Sequence, residues 1–599
     1  MNVIIAVPEK YSQIEQTTPV ISHWYIIGLI LALTLLISAP ALNYGFVYED
    51  HALIENNIDI RHFDFVNSFR SSGGFTSGLG NDYQQIAFFR PLQTLLYSLN
   101  YQLFETDPFW WHLQPLIFYL TTVLLVYLIS LRLLTDRYLA GALTLIFAWH
   151  PAHTEALAWA HCAQDPMHAM FYLSACYTFI RARLSARPLL WWTGALVSFA
   201  LALLTKETAV SLPMVAAAYC FWLDNRDKKL SVRLRQSFIT VLPFFFTLAC
   251  YFVFRWLCFG GALRITNRVP WNTVLLTLPQ VLLRYTINLL WPLKLSLAYP
   301  ERYINSPAMA FFIPLLIILI IAIGLLVLAW RERRCAFALA WMVLTLGPML
   351  NIGLFVPDML LQDRYLFLPL FGFALLLVVM ARTLITRLSV GWQRPALLFA
   401  LAAVIGGYGV LMARQVSYWR DDIALFSRAI EVDARSGFAH FNLARAYQLQ
   451  HNYEKALDHF QQAYDINPSA DYFAALGDVY NEMGDYQTAG AYYNQVITQD
   501  PYGSLMTRNN LATIYLKLGR PELAVKLLTE GLNYAPNLFL SRYNLGLALL
   551  RTGEPARALI QLEQAERLNP DDPDTHALIR EAHSAIMRKS TNSGSATRP

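Results

Sequence analysis

Long apolar runs alternate with short polar connections over the first two thirds of the chain. About eleven of these runs are long enough to cross roughly 30 Å of hydrocarbon. They lie near 24–42, 110–131, 138–158, 166–180, 188–204, 209–223, 238–258, 308–330, 335–355, 364–381 and 393–413. The apolar stretch 271–297 is interrupted by two prolines and by Arg284 and Lys294, which favours the membrane surface or a re-entrant position. The pattern predicts a polytopic helical membrane domain over 24–416.

From about residue 437 the pattern becomes amphipathic with a period near 34. Three series keep the same spacings of 33, 35 and 34: Leu443, Leu476, Leu511 and Leu545; Ala456, Ala489, Ala524 and Ala558; Pro468, Pro501, Pro536 and Pro570. Such register-locked series match the tetratricopeptide pattern, in which small residues let paired helices pack closely and a proline ends each unit. We predict an all-α solenoid over 417–586, with repeats at about 437–469, 470–502, 504–537 and 538–572. The segment 417–434 would be a half-repeat, and the polar tail 587–599 would be disordered.

Composition agrees with a membrane class and excludes two other classes. The 599 residues are 56% hydrophobic and only 15% charged, and the net charge is +5. The basic residues form short clusters between apolar runs, so nucleic acid is not an expected partner. Six cysteines without a CxxC spacing support neither a disulfide framework nor a zinc site.

Positive charge predicts the orientation of the spans, because short cytoplasmic loops carry the Lys and Arg excess. With segment 1–23 in the cytoplasm, an odd number of crossings places the loop 41–109 and the repeats on the non-cytoplasmic face. The cytoplasmic loops would then hold the basic clusters Arg132 and Arg137; Arg181, Arg183 and Arg187; Arg226, Lys228, Lys229, Arg233 and Arg235; Arg331, Arg333 and Arg334; Arg382, Arg387 and Arg394. Short loops favour a bacterial inner membrane with periplasmic repeats; in a eukaryotic cell the repeats would lie in the endoplasmic reticulum lumen.

Two adjacent carboxylates, Glu49 and Asp50, follow the first span by a few residues. At the membrane edge such a pair could hold an acceptor hydroxyl and take its proton, since burial and mutual repulsion raise one pKa. The alternative is an ordinary hydrophilic start to the loop.

Further ionisable residues lie at the non-cytoplasmic ends of other spans. A charge near mid-bilayer costs on the order of 2.5–3.5 kcal/mol and less at the edge, so their placement on one side suggests a polar cavity. Cations there suit a lipid phosphate. Interface anchors or local ion pairs are the alternative. The residues are Arg90, His150, His153, Glu155, Asp165, Lys206, Glu207, Asp363 and Arg364.

His150, His153 and Glu155 also have a spacing that allows metal ligation from one helical face. No second carboxylate or cysteine is spaced to complete such a site. A divalent metal is therefore not expected.

Five stretches together resemble the transmembrane and tetratricopeptide-repeat (TMTC-type) O-mannosyltransferases of the GT-C glycosyltransferase class. They are FVYEDHALIENN (46–57), FRPLQTLLYSLNY (89–101), HPAHTEALAWA (150–160), LLTKETAVSLPM (203–214) and DRYLFLPLFGFALLL (363–377). The resemblance implies a catalytic acidic pair in the first external loop, a polyprenyl-phosphate sugar donor, inverting transfer to Ser or Thr hydroxyls, and repeats on the active-site side.

Carried over by position, Glu49 and Asp50 fall on the acidic pair, Lys206 and Glu207 on a KE pair, and Arg364 on the arginine of an [ED]RY motif. Relatives more often have two aspartates at the pair, so which carboxylate acts as the base stays open. Many relatives also carry an arginine before the aspartate that corresponds to Asp165. Here a glutamine stands there, so one phosphate or acceptor contact could be missing and a different sugar or acceptor is possible.

These observations predict a membrane glycosyltransferase that uses Glu49 or Asp50 as base and stabilises the leaving phosphate with Arg364 and with Arg90 or Lys206. The donor would be a lipid-linked sugar, mannose or another hexose, with no other cofactor. The repeats would bind an extended polypeptide acceptor or partner. One alternative is a non-enzymatic membrane scaffold that recruits partners through its repeats. Another is a transporter, which would favour internal repeats among the spans.

Overall fold

The computed structural model describes residues 20–70, 89–225, 227–259, 269–354, 359–387, 392–501 and 504–595. Within these ranges every regular element is a helix, which confirms the predicted all-α class. The chain divides into two compact units, Met1–Ala434 and Arg435–Pro599. The predicted segment 1–23 lies almost entirely outside the described residues, as does 71–88 of the predicted external loop 41–109.

The described residues of the first unit form sixteen α-helices. They are α1 Val20–Ser38, α2 Phe65–Arg70, α3 Pro91–Phe104, α4 Pro108–Leu134, α5 Arg137–Trp149, α6 Thr154–Ala158, α7 Gln164–Leu184, α8 Pro188–Thr205, α9 Leu212–Tyr219, α10 Leu230–Phe259, α11 Trp271–Leu290, α12 Met309–Arg331, α13 Arg333–Leu346, α14 Pro369–Arg387, α15 Gln393–Ser417 and α16 Asp422–Val432.

Among the described residues, eight helices are long and apolar enough to cross a membrane, against the predicted count of about eleven. The predicted spans 138–158, 209–223 and 335–355 contain the shorter helices α5, α9 and α13, because in each apolar run the α-helix gives way to a short turn of different helical geometry. The predicted span 166–180 lies in α7, which is long enough but is not among the eight. Conversely, α11 qualifies by length and composition, although we had assigned 271–297 to the membrane surface or a re-entrant position. The number of crossings, and with it the predicted orientation, stays a prediction.

Several of the ionisable residues predicted for the site lie directly after the end of a helix or in a turn before the next one. Helix α5 ends at Trp149 and is followed by His150. Helix α8 ends at Thr205 and is followed by Lys206, whose extended backbone stops the helix. Asp363 begins the short turn Asp363–Leu366 before α14. Polar side chains can lie at these positions without breaking the apolar faces of the helices.

The segment 417–434, which we had assigned to the solenoid as a half-repeat, belongs to the first unit. Its helix α16 is fixed there by Arg428, which donates hydrogen bonds to the backbone carbonyls of Leu293 (2.7 Å) and Leu295 (3.4 Å). Trp419 is buried and stacks on Trp159 at a ring-centroid distance of 5.6 Å. These contacts explain why the periodicity of the array does not continue into this segment.

In its described part, the second unit has four helical pairs followed by one longer helix, which confirms the predicted tetratricopeptide array. The alanine of each repeat is fully buried where the two helices of a pair meet, as the sequence pattern requires. The helices are α17 Gly437–Leu449, α18 Tyr453–Ile466, α19 Ala470–Glu482, α20 Tyr486–Gln499, α21 Leu505–Lys517, α22 Pro521–Tyr534, α23 Phe539–Arg551, α24 Pro555–Leu568 and α25 Pro573–Ser595.

The predicted disordered tail 587–599 is helical as far as Ser595, so this prediction was wrong for its described part. Helix α25 packs on α23 and α24 and buries Ala582 completely. Lys589 donates a hydrogen bond to the carbonyl of Gly553 in the last repeat. A closing helix of this kind covers the apolar end of a solenoid, which a polar composition alone does not indicate.

Close packing within the second repeat leads to a stability prediction. A Cβ atom on Gly477 would lie 2.6 Å from the ring of Tyr493, which is fully buried and donates a hydrogen bond to Asp478. Gly477→Ala is therefore expected to destabilise the array by about 1–3 kcal/mol. Gly490→Ala is the matched control, since its Cβ would meet only ordinary contacts at 3.6 Å and beyond. Thermal unfolding of the full chain should show a loss of stability for Gly477→Ala but not for Gly490→Ala. Equal stability of the two variants would contradict the packing argument.

Candidate functional site

The acidic pair lies on a sharp bend that follows the first helix. The backbone of Tyr48 has a φ of +52°, in the left-handed region that residues with a side chain rarely adopt. Asp50 is completely buried. One of its carboxyl oxygens accepts a hydrogen bond from the backbone N–H of His161 (2.8 Å), and the other accepts from that of Val47 (3.2 Å). Both oxygens of Asp50 are thus engaged by the backbone.

Glu49 is placed differently from its neighbour. Its side chain is 18% exposed, and its carboxylate lies 4.0 Å from Nε2 of His161. Burial together with the nearby cations Arg364, Arg90 and Lys206 lowers the pKa of His161 to about 3, so this imidazole is neutral at ordinary pH. Glu49 therefore has a neutral neighbour and access to the surface.

Burial changes the protonation of both acids. Desolvation raises the pKa of Asp50 to about 8, although the two backbone N–H groups partly oppose it. Desolvation also raises the pKa of Glu49, with Arg364 acting in the opposite direction and Glu155 in the same direction. Arg364 and Glu155, which are distant in sequence, are thus close enough to influence the protonation of Glu49.

The remaining predicted cations each pair with a carboxylate. The Nε atom of Arg90 donates to Glu207 at 3.1 Å. Lys206 forms a buried ion pair with Asp165. The third pair joins Arg364 to Glu155: their side chains are 3.4 Å apart, and the carboxylate also accepts the backbone N–H of Arg364 at 3.1 Å. These pairs link sequence positions that lie 41 to 209 residues apart.

Two of these cations border a cavity. Its empty volume is about 320 Å³, and its lining includes Asp165, Lys206, Arg364, Tyr365 and His168. Lys206 and Arg364 also face aromatic rings, with the Lys206 Nζ atom 5.4 Å from the centre of the Tyr365 ring. A small anion in this space would meet two cations in surroundings of low dielectric, where charge interactions are strong.

The two histidines of the HxxH spacing have packing roles. Nδ1 of His150 accepts the backbone N–H of Ala152 at 3.2 Å, and its Nε2 lies 3.1 Å from the carbonyl of Leu289. The His153 ring is fully buried and packs against Phe367, with ring centroids 4.3 Å apart. In the described ranges there is no group of three or more His, Cys, Asp or Glu side chains suited to a metal ion.

Sequence reasoning missed three contributors to this site. Trp159 places its ring 4.9 Å from the guanidinium carbon of Arg364, and it lies inside a motif that we had quoted without assigning it a role. His161 supplies the N–H that binds Asp50. Asp422 reaches the acidic loop from α16, and no local pattern in the sequence indicates this. Burial and the nearby Glu155 raise the pKa of Asp363 to about 8, and Tyr299 and Asn288 donate hydrogen bonds to its carboxyl group.

Two parts of the chain match known protein families. Residues 90–256 match the family described as dolichyl-phosphate-mannose-protein mannosyltransferase. This range contains five of the six residues of the three ion pairs, all except Arg364. Residues 438–469, 470–537 and 509–573 match tetratricopeptide-repeat families. The acidic pair lies outside the matched ranges.

Full-length relatives extend the similarity across both units. The chain is 22% identical to the human protein O-mannosyl-transferase TMTC3 over 91% of its own length and 65% of the relative. It is 26% identical to the Drosophila melanogaster protein O-mannosyl-transferase Tmtc1 over 73% of its length and 61% of the relative. The chain thus spans less than two thirds of these relatives. Together with the apolar helices they indicate a multi-pass membrane protein.

One solved structure is similar to part of this chain. The crystal structure of YrrB, described as a TPR protein with an unusual peptide-binding site, is 20% identical and covers 31% of this chain and 89% of its own, with a TM-score of 0.24.

Proposed function

Because this chain is a homologue, over most of its length, of the TMTC-type protein O-mannosyltransferases, we propose that it is a membrane glycosyltransferase. It transfers a sugar, mannose or another hexose, from a polyprenyl-phosphate carrier to a Ser or Thr hydroxyl on the non-cytoplasmic face. The observation that carries the proposal is a partly exposed carboxylate, Glu49, within the electrostatic reach of Arg364. A base and a phosphate-binding cation at one site are what transfer from a phosphate ester to a hydroxyl requires.

Glu49 is the base in this proposal, and Asp50 holds the loop. The acceptor oxygen attacks C1 of the sugar, the bond between C1 and the phosphate oxygen breaks, and that oxygen leaves with the electron pair. Glu49 takes the hydroxyl proton. Exposure of Glu49 and the two backbone hydrogen bonds that occupy Asp50 support this division. Attack opposite the leaving group inverts the anomeric carbon without a covalent enzyme intermediate. NMR of the glycosylated product tests this step, since a retained configuration would contradict it.

Arg364 and Lys206 stabilise the leaving phosphate in this scheme. Their position on the lining of the 320 Å³ cavity supports the assignment. Both cations already pair with carboxylates, so a bound phosphate shares them with Glu155 and Asp165 rather than meeting isolated charges. Sharing keeps the site close to neutral before the donor arrives and spares the cost of burying unpaired cations.

We place the isoprenoid part of the donor next to a second, apolar pocket. Its lining includes Ile129, Phe179, Val215, Phe337 and Trp341. Helices α7 and α13 contribute to both cavities. Asp165 and Thr345 line the polar cavity from the same helices on which Phe179 and Trp341 line the apolar one. Helices α7 and α13 therefore contribute both to the cavity bordered by Lys206 and Arg364 and to an apolar lining for the hydrocarbon.

The repeat array is proposed to bind the acceptor polypeptide. Removal of 435–599 should lower transfer to protein acceptors by about 10-fold or more, because the acceptor then no longer gains effective concentration from the array. Transfer to a short synthetic Ser or Thr peptide and affinity for the donor should change little. Parallel kinetics with protein and peptide acceptors measure the difference. Equal loss with both acceptors, in a variant that is still folded in the membrane, would refute the division of roles.

A further inference from the structure

Asp422 contacts the acidic loop on both sides of the acidic pair. One of its carboxylate oxygens accepts the backbone N–H of Tyr48 at 2.8 Å. The other lies 2.9 Å from Nε2 of His51. Tyr48 and His51 are the residues immediately before Glu49 and after Asp50. A single carboxylate, 374 positions away in the chain, thus holds both flanks of the pair.

The bend at Tyr48 needs such support. Its left-handed backbone conformation is unfavourable for a residue with a Cβ atom, so surrounding contacts must maintain it. The hydrogen bond to Asp422 is charge-assisted, which makes it stronger than one to a neutral acceptor. The Tyr48 ring also packs edge-on against Phe426 in the next turn of α16, with ring centroids 5.8 Å apart. Helix α16 therefore fixes this residue through both its backbone and its ring.

His51 adds a charged connection on the other flank. Its Nδ1 lies 2.5 Å from Glu55 on the same loop, and its Nε2 contacts Asp422. The hydrogen bond with Asp422, followed by that with Glu55, raises the pKa of His51 to about 9 against the opposing effect of burial. Below that pH the imidazole donates from both nitrogens.

Helix α16 is itself firmly attached to the first unit. Arg428 binds the carbonyls of Leu293 and Leu295, and Arg302 lies 3.7 Å from Asp433 at the end of the helix. Asp422 is therefore a fixed point for the loop, because the helix that carries it cannot shift without breaking these contacts.

We infer that Asp422 is a positioning residue, which orients Glu49 for proton transfer by fixing Tyr48 and His51. Helix α16, which follows the last long apolar helix α15 in the chain, then contributes to the function of the site. This inference rests on the proposed function for its catalytic consequence, while the effect on loop order can be measured independently of any activity.

The test compares Asp422→Asn with Asp421→Asn in the full-length protein in lipid nanodiscs. The two variants make the same chemical change at adjacent positions. Asp421 is half-exposed and caps α16 through the N–H of Ala424, a role that asparagine also fills. Two quantities are measured: hydrogen exchange of peptides covering 44–57, and kcat and KM for donor and peptide acceptor.

Asp422→Asn should speed exchange in 44–57 by about 10-fold, because the single amide oxygen of asparagine accepts from only one flank and lacks the charge of the carboxylate. It should lower kcat by about 10- to 100-fold with the donor KM unchanged, since small displacements of a base have effects of that size. Asp421→Asn should change neither quantity. Exchange and kcat equal in the two variants would overturn the inference, as would faster exchange throughout the first unit. If the wild type transfers no sugar, the proposed function fails, while the exchange result still decides whether Asp422 orders the loop.

Discussion

Glu49→Gln is expected to lower the rate of sugar transfer by about 10³-fold, because a glutamine cannot accept the hydroxyl proton. Donor affinity should be nearly unchanged, since the cations that border the cavity are intact. Asp50→Asn should lower the rate less, by about 10- to 100-fold. An amide NH₂ would face one of the two backbone N–H groups from which Asp50 now accepts hydrogen bonds, and the loop would be displaced. Steady-state kinetics with a defined donor and a Ser or Thr peptide measure both effects.

Asp59→Asn is the matched control, because this carboxylate is exposed on the same loop. It should retain wild-type kinetics. The acidic limb of the pH profile gives a second check. Burial raises the pKa of Glu49 above its usual range, and only the deprotonated form accepts a proton. The rate should therefore fall as the pH is lowered through this raised pKa, and the fall should begin at a higher pH than for an exposed glutamate. Glu49→Gln with more than a tenth of the wild-type rate would remove Glu49 from the mechanism.

Arg364→Gln should damage both stability and transfer. It leaves Glu155 buried without its cation, and breaking one partner of a buried ion pair costs about 3–5 kcal/mol. It also removes a group that stabilises the leaving phosphate. Thermal inactivation in membranes measures the first effect, and transfer per folded molecule measures the second.

Two further variants separate these effects. Arg284→Gln breaks another ion pair, in which Nε lies 2.6 Å from Glu301; Glu301 is not on the lining described for the polar cavity. It should lower stability and leave transfer per folded molecule unchanged. The double variant Arg364→Met with Glu155→Leu should recover stability, because an apolar pair can replace a buried ion pair, but should not recover transfer. Recovery of both properties would show that Arg364 has only a structural role.

The sequence was sufficient to predict the repeats, because their periodicity expresses packing between neighbouring elements. It was less informative about the membrane helices. An apolar run shows that a segment avoids water, yet it does not show where an α-helix ends. For this reason 209–223 was predicted as one span, although α9 is only 8 residues long. The helix α11 was not predicted as a span, because Pro279 and Arg284 were interpreted as interruptions. Both residues lie within a continuous helix.

The sequence indicated which residues contribute to the candidate site, but not how their side chains are arranged in space. Charges at the ends of separate apolar runs indicated that Arg90, Lys206 and Arg364 share one region. Their one-to-one pairing with carboxylates depends on tertiary contacts that no local pattern encodes. The same limit applies to Asp422, which looked like part of a half-repeat and instead binds the acidic loop. The different surroundings of Glu49 and Asp50, adjacent in sequence, are a further consequence of the fold.

The proposed reaction moves a sugar from a lipid phosphate to a hydroxyl. The most direct measurement is transfer of radiolabelled sugar from a panel of polyprenyl-phosphate donors, in membranes that contain the wild type or Glu49→Gln at matched expression. We predict labelled product that depends on the wild-type protein and is lost with Glu49→Gln, and the product identifies the sugar and the acceptor. Labelling that is the same with the wild type, with Glu49→Gln and without the protein, for every donor in the panel, would contradict the account and favour a non-enzymatic scaffold.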